Sequence, residues 1–273
     1  MVKVELICVG NEILIGKTLN TNAHWLAKRI TSLGLKVSRI TTVADDLKEI
    51  SSAIKEALAR NPRFIITTGG LGPTFDDKTI EGIAKALCLE LKVDGKALKM
   101  VEDKYKQYVK EGKMEKAELT PHRVKMATLP VGAEPLPNPV GTAPGVLIDH
   151  EGVTIIALPG VPSEMKAIFE NSVIPILRRA AGKAVFYEAS LEVLGMVESE
   201  IAPIVDEVMH DNPYVYIKSH PKGEERISRI ELHFSTTTED TETAKKRVGR
   251  AVIQISEMIK KKGGKIRPIK TAE

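Results

Sequence analysis

Residues 67–79 read Thr-Thr-Gly-Gly-Leu-Gly-Pro-Thr-Phe-Asp-Asp-Lys-Thr. Three glycines lie between an apolar, β-branched run, RFIITT at 63–68, and a segment with helical spacing, IEGIAKAL at 80–87. Gly69, Gly70 and Gly72 have no Cβ, so the backbone can take positive φ and approach a ligand closely. Amides exposed there, with a helix N-terminus behind them, make an anion site that Thr68 and Leu71 share. Thr67, Thr74 and Thr79 add hydroxyls. Asp76 and Asp77 then put negative charge where a bare phosphate would be repelled. A hard divalent cation between carboxylate and phosphate removes the conflict, because Mg²⁺ typically takes one or two carboxylates plus substrate phosphate oxygens. The sequence leaves an alternative open, in which one aspartate only caps the helix.

The elements around this loop place more acids beside it. Residues 2–10, 35–44 and 63–68 read as strands. Residues 21–34, 45–60 and 76–87 read as helices, the first closed by Gly34. Strands separated by helices of this length pair in parallel through right-handed crossovers, giving an open α/β sheet covered on both faces. Ligands bind beyond the carboxyl ends of such strands. Asn11 and Glu12 follow the first strand and Asp45-Asp46 the second, so three strand ends carry carboxylates. GVLID (145–149) and VTIIALPG (153–160) read as a hairpin closing the sheet. A helix follows at 162–180, with Ser163 as its N-cap or Pro162 at its first position. The charged stretch 94–118 reads as a solvated or partner-facing helix.

After Ala181-Gly182 the pattern changes. Strands at 186–195, 214–219 and 227–235, the last two joined by PKGEER, combine with helices at 198–209 and 239–262 into a small α+β unit. The expected division is 1–178, a nucleotide-binding α/β domain with a three-layer, mostly parallel sheet, and 179–273, the smaller domain.

Composition narrows the classes. A formal charge of +4 without basic patches interleaved with aromatics argues against a nucleic-acid partner. The longest basic run, KKK at 260–262, suits the polar end of a helix. No apolar run nears the ~20 residues of a membrane span, and no leader pattern opens the chain, so a cytoplasmic location is expected. Cys8 and Cys88 both read as buried thiols, with no CxxC metal spacing. GNEILIGKT at 10–18 imitates a phosphate loop, but five residues separate Gly10 from Gly16 and Ile-Leu-Ile is too bulky for the cradle. The dinucleotide pattern fails at Phe75, where its third glycine belongs. The histidines have no ligand spacing, and no nucleophile elbow appears.

Several ordered segments resemble the CinA family (competence/damage-inducible proteins). These are GNEILIGKTLNTNAHWLA (10–27), VADD (43–46), TTGGLGPTFDDKT (67–79), KMATLPVGAEPLPNPVGTAPG (125–145), LPGVPSEM (158–165) and LEVLGMVESEI (191–201). The resemblance implies an N-terminal MoaB/Mog-like molybdopterin-binding domain followed by a small second domain. Asn20-Thr21-Asn22 stands where the family commonly has Asp-Thr-Asn, which removes one acidic contact. The chain stops at Glu273, so the nicotinamide-nucleotide deamidase domain of full-length bacterial members, and its activity, are expected to be absent.

What the resemblance implies for the remainder is metal-dependent hydrolysis of ADP-ribose to AMP and ribose 5-phosphate. Asp77 and Asp45 are its expected acids, with Asp76 as a further metal ligand and Glu12 orienting or deprotonating water. The divalent metal would be Mg, Mn or Co. Substrate-binding candidates are Asn11, Asn22, Thr68, Gly69, Gly70, Leu71, Gly72, Thr74, Gly141, Thr142, Pro159, Gly160, Ser163 and Glu164. A small-molecule nucleotide is the expected partner. The alternative is a molybdopterin binder or adenylyltransferase, disfavoured because Phe75 is the only aromatic in the loop. A third reading is a non-enzymatic assembly protein, in which strands 186–195 and 227–235 pair across a two-fold axis. A homodimer or larger homo-oligomer is expected, and a dimer is compatible with the hydrolase reading.

Overall fold

The computed structural model describes residues 1–222 and 229–269. The chain divides into two compact units, one of residues 1–31 and 35–181, the other of 32–34 with the residues from 182 on.

In the first unit, β1 (Lys3–Val9), α1 (Asn11–Leu14), α2 (Thr21–Ser32), β2 (Lys36–Val43), α3 (Leu47–Ala59), β3 (Phe64–Thr68) and α4 (Thr79–Leu87) follow one another. Next come β4 (Leu91–Val93), α5 (Gly95–Lys110), α6 (Pro121–Lys125), β5 (Thr128–Pro130), β6 (Glu134–Leu136), β7 (Gly145–His150), β8 (Val153–Leu158), α7 (Pro162–Ile168) and α8 (Ile174–Ala181). A six-stranded sheet has the order β2-β1-β3-β8-β7-β6, and β4 and β5 form a separate ribbon. β2, β1, β3 and β8 run parallel, β7 pairs antiparallel to β8, and β6 pairs antiparallel to β7 and so points the same way as the parallel four. The hairpin turns at Glu151 and Gly152, both with positive φ. β3 and β8 are buried along their whole length, as strands covered on both faces must be, and their apolar runs follow from that.

The helices keep their places with local differences. α4 starts at Thr79, three residues later than its spacing suggests, with Lys78 as N-cap and no side-chain capping bond. Neither Asp76 nor Asp77 caps it. Ser163 does not cap α7 either: Val161 is the N-cap and Pro162 sits in the first turn, where its missing N–H costs nothing. α5 is not merely solvated. Ala97, Val101 and Tyr105 pack one stripe into the core under a charged surface. Cys8 is buried, but Cys88 is exposed at the left-handed end of α4, so its expected burial does not hold. Residues 11–14 of the phosphate-loop imitation form the single turn α1.

In the second unit, β9 (Val185–Leu194), α9 (Glu198–Asp211), β10 (Tyr216–Pro221), β11 (Arg229–Thr238), α10 (Thr241–Lys261) and β12 (Lys265–Ile269) form an antiparallel sheet of order β10-β11-β9-β12 with its own core. β12 has no counterpart in the sequence reading. β9 and β11 pair with each other at the centre of the sheet, so those two strands have no free edge for pairing across a two-fold axis. Most of the PKGEER link lies outside the described residues. No helix among the described residues is long and apolar enough to cross a membrane.

Candidate functional site

Beyond the carboxyl ends of β1, β2, β3 and β8 the first unit has a cavity of about 460 Å³. Each wall comes from the chain leaving a strand: Gly10 and Glu12 after β1, Asp45 after β2, residues 68–73 with Asp76 and Asp77 after β3, and Pro159–Pro162 with Glu164 after β8. Asn20 and Asn22 at the start of α2, and Thr142 and Ala143 ahead of β7, close the rest. Glu12, Asp45, Asp76, Asp77 and Glu164 put five carboxyl groups on the lining, and no Lys or Arg among the described residues lines it.

The glycine turn has geometry only glycine supplies. Gly69 and Gly70 have φ of 97° and 67°. A Cβ on Gly69 would run into the Val9 carbonyl, and one on Gly70 into the Thr79 hydroxyl. Thr79 locks the turn, donating from Oγ1 to the Gly69 carbonyl at 2.8 Å and from N to the Gly70 carbonyl at 3.1 Å. The Gly69 N–H is already spent on the Leu158 carbonyl, so it is not the free donor its glycine suggests. No hydrogen bond among the described residues takes the N–H of Gly70, Leu71 or Gly72. Those three amides are the turn's uncommitted donors.

The two aspartate pairs split their duties. Asp46 caps α3, accepting from Lys48 N at 2.8 Å and Glu49 N at 3.2 Å. Those amide bonds, with Lys78 and Lys48 adding, hold its carboxyl below the ordinary value against a small desolvation. Asp45 instead accepts the Asn11 N–H on Oδ2 at 2.7 Å, leaving Oδ1 without a protein partner. In the second pair, Asp77 Oδ2 accepts from Thr74 N at 2.8 Å and lies beside Thr74 Oγ1, whose single proton it shares with Asp76. Asp77 Oδ1 has no hydrogen-bond partner among the described residues. Asp76 accepts from the Thr74 hydroxyl, which is the main reason its pKa lies below the ordinary value; its own backbone amide, Lys125 and Lys78 add to this.

Among the described residues no three acidic, His or Cys side chains stand close enough to form a ready-made cation cage. Asp45 and Asp77 are each held by one oxygen, which leaves each with one hard oxygen donor of the kind a divalent cation takes.

Most sequence-predicted site residues line the cavity: Glu12, Asn22, Asp45, Thr68, Gly69, Gly70, Leu71, Gly72, Asp76, Asp77, Thr142, Pro159, Gly160 and Glu164. Asn11, Thr74, Gly141 and Ser163 do not. Asn11 holds Asp45, and Thr74 holds both aspartates of its loop. Gly141 leaves room for Glu164, whose carboxylate a Cβ there would strike. Ser163 is exposed on α7 outside the lining. Asn22 donates to the Gly160 carbonyl at 2.7 Å, while its Oδ1 is buried without a partner. Asn20 accepts the Ala23 N–H and serves as a helix cap.

The sequence reading missed Asn138, which donates to Glu164 Oε2 at 2.7 Å and to the Ala143 carbonyl and accepts the Gly141 N–H. Its Asn-Pro dipeptide was the available turn signal. It also missed α6, whose Lys125 donates to the Thr74 carbonyl and whose His122 ring meets the Pro73 carbonyl from behind the loop.

A mixed sheet between helix layers, with a glycine turn and acid-bearing loops at its carboxyl ends, makes the first unit an α/β domain with its site at the strand ends. The family model described as a probable molybdopterin binding domain matches residues 5–179. The chain belongs to that family and, with CinA among its structural neighbours, to its CinA branch. A Sulfurisphaera tokodaii protein is 45% identical over 264 residues, covering 96% of this chain and 97% of the relative. The structure of protein CinA from Thermoplasma acidophilum, described as of unknown function, is 44% identical. It covers 64% of this chain and 97% of its own, with a TM-score of 0.58. A Thermus thermophilus MoaB, described as a molybdopterin biosynthesis enzyme, is 18% identical and covers 66% of this chain and 94% of its own, with a TM-score of 0.43.

Proposed function

We propose that the cavity binds a nucleoside diphosphate sugar together with a divalent cation and hydrolyses the diphosphate, with ADP-ribose as substrate and AMP and ribose 5-phosphate as products. The observation that carries this reading is the composition of the wall: five carboxyl groups, no cationic side chain, and beside them three uncommitted amides. Carboxylates alone would repel a diphosphate, and amides alone would not need them. Both are used when a doubly charged ion bridges acid and phosphate.

Asp45 and Asp77 would hold Mg²⁺, Mn²⁺ or Co²⁺ through their free oxygens, with Asp76 adjacent. The bound cation supplies Lewis-acid polarisation of the phosphorus and offsets charge on the departing phosphate. The Gly70, Leu71 and Gly72 amides orient the phosphate oxygens. Thr74 and the Asn11 amide keep the two aspartates from turning away. Glu12 accepts a proton from the attacking water, whose oxygen bonds to one phosphorus as the bridging P–O bond breaks. The remaining phosphate leaves with the other half of the substrate. Prepaid positioning of this kind, with electrostatic stabilisation, supplies most of the rate in phosphoryl chemistry.

Purified protein incubated with ADP-ribose and each metal should release AMP, and release should stop on chelation. Asp77→Asn and Asp45→Asn should each slow turnover by about 10²-fold or more, the scale of losing a group that stabilises transition-state charge. No AMP with any metal, or wild-type turnover in Asp77→Asn, overturns the reading. The family description favours a second reading, a pterin nucleotide held without hydrolysis. Tight molybdopterin binding without ADP-ribose turnover would select it.

A further inference from the structure

We infer that the mouth of the cavity is a binding subsite for a planar heteroaromatic base, with Phe75 as its stacking platform. The inference rests on the nucleotide reading above and extends it to a part of the ligand that the acids and amides do not address. The chain has five phenylalanines. Phe64, Phe169 and Phe234 are fully buried and Phe186 is half-buried, whereas Phe75 is 84% exposed. Its place is fixed. Phe75 lies between Pro73 and Asp76, both on the cavity wall, in a turn braced by Thr74 bonding Asp76 and Asp77 and by Lys125 and His122 from α6. The ring is therefore exposed on a hydrogen-bonded turn whose residues on either side, Pro73 and Asp76, line the cavity.

It does not stand alone. Leu19, 84% exposed, and Val161, 51% exposed, both line the same cavity, and Leu14 and Ile15 are exposed just after Glu12. Exposed apolar side chains on a lining that also carries acids and uncommitted amides match a ligand with a flat, weakly polar end and a diphosphate end. No aromatic residue lines the cavity itself, so the base has no ring to stack on deeper in. Base stacking on an aromatic side chain tolerates every base, because each presents a π face, so Phe75 would add affinity without choosing among bases.

Binding to the full chain, with Mg²⁺, tests this. The probes are the α,β-methylene analogue of ADP-ribose, which cannot be cleaved at the bridge, and methylenediphosphonate, which has no base. In Phe75→Ala the analogue should bind about five- to thirtyfold more weakly, within the range that losing one base stack gives. Methylenediphosphonate should bind within about twofold of wild type, and Phe75→Tyr should restore the analogue. On the wild type, the adenine proton resonances should shift upfield from ring current, and Phe75→Ala should abolish that shift. Unchanged binding of the analogue to Phe75→Ala overturns the subsite and leaves the hydrolase reading standing. Equal loss of both probes also overturns it, because Phe75 would then be acting on the loop. A wild type that binds neither probe overturns the nucleotide reading and the subsite together.

Discussion

Adjacent aspartates look equivalent in a sequence, yet Asp45 and Asp46 work on different structures. Asp46 is tied to two amides of the helix it starts, and Asp45 to one amide of a neighbouring loop. Because folding lowers the Asp46 pKa from its ordinary 3.8, its stabilisation is complete above that value and is lost as pH falls through the lowered one. Asp46→Ala should therefore melt lower than wild type at neutral pH, by an offset that persists at pH 5 and closes only below the ordinary carboxylate range. Thermal melts over that span check it. An offset that closes between pH 5 and 7 contradicts it. ADP-ribose turnover at neutral pH should survive this substitution, unlike Asp45→Asn. At this scale the charge conflict of glycines beside acids was legible in the sequence, because it is local. Asn138 was not: it meets Glu164 from 26 residues away, and Lys125 meets Thr74 from 51 away, and no short-range pattern encodes either contact.

The loops stay in register because the elements behind them are pinned. Arg60, at the end of α3, makes a two-pronged ion pair with Glu5 of β1 at 2.7–3.1 Å. The Glu5 side chain is only 5% exposed and that of Arg60 31%. Removing the arginine leaves a buried carboxylate without its counter-charge. Arg60→Ala should cost about 2–4 kcal/mol, somewhat less than a fully buried pair, and Arg60→Ala with Glu5→Leu should recover much of it. Denaturant titration of the two variants measures this, and equal stability of single and double mutants contradicts it. Helices and long strands were legible from their periods. The start of α4 was not, because Asp77 bonds Thr74 instead of capping the helix. The short strands β4, β5 and β6 have three residues each, too few to show a period. In α5, apolar side chains at every fourth place were hidden among lysines.

Over the whole molecule, the described residues of the cavity wall belong to the first unit, and the second unit has a core of its own around Phe234, Leu232 and Ile255. Phe234→Ala should destabilise the second unit by about 3–5 kcal/mol, the usual cost of emptying a buried aromatic site. Metal-dependent turnover should remain near wild type at temperatures below the new transition. Calorimetry paired with the AMP assay checks both halves, and turnover that falls while the protein is still folded contradicts the second. The sequence shows a change of pattern after Gly182, with the expected boundary at 178, while the compact units divide at 181/182 and residues 32–34 go with the second. Which strands sit at the sheet edges did not show, because edge position depends on β12 and on pairings between distant strands.

The outer strands of the six-stranded sheet have a consequence for handling the protein at high concentration. On one side β2 has exposed Lys36 and Arg39. On the other β6 is three residues long and contains Pro135, which has no N–H to offer a newcomer. Charge repels incoming chains at the first border, and a missing donor with a short template stops them at the second. Concentrated solutions of the folded chain should resist fibre growth, and the charged border should lose some of that resistance as salt is raised.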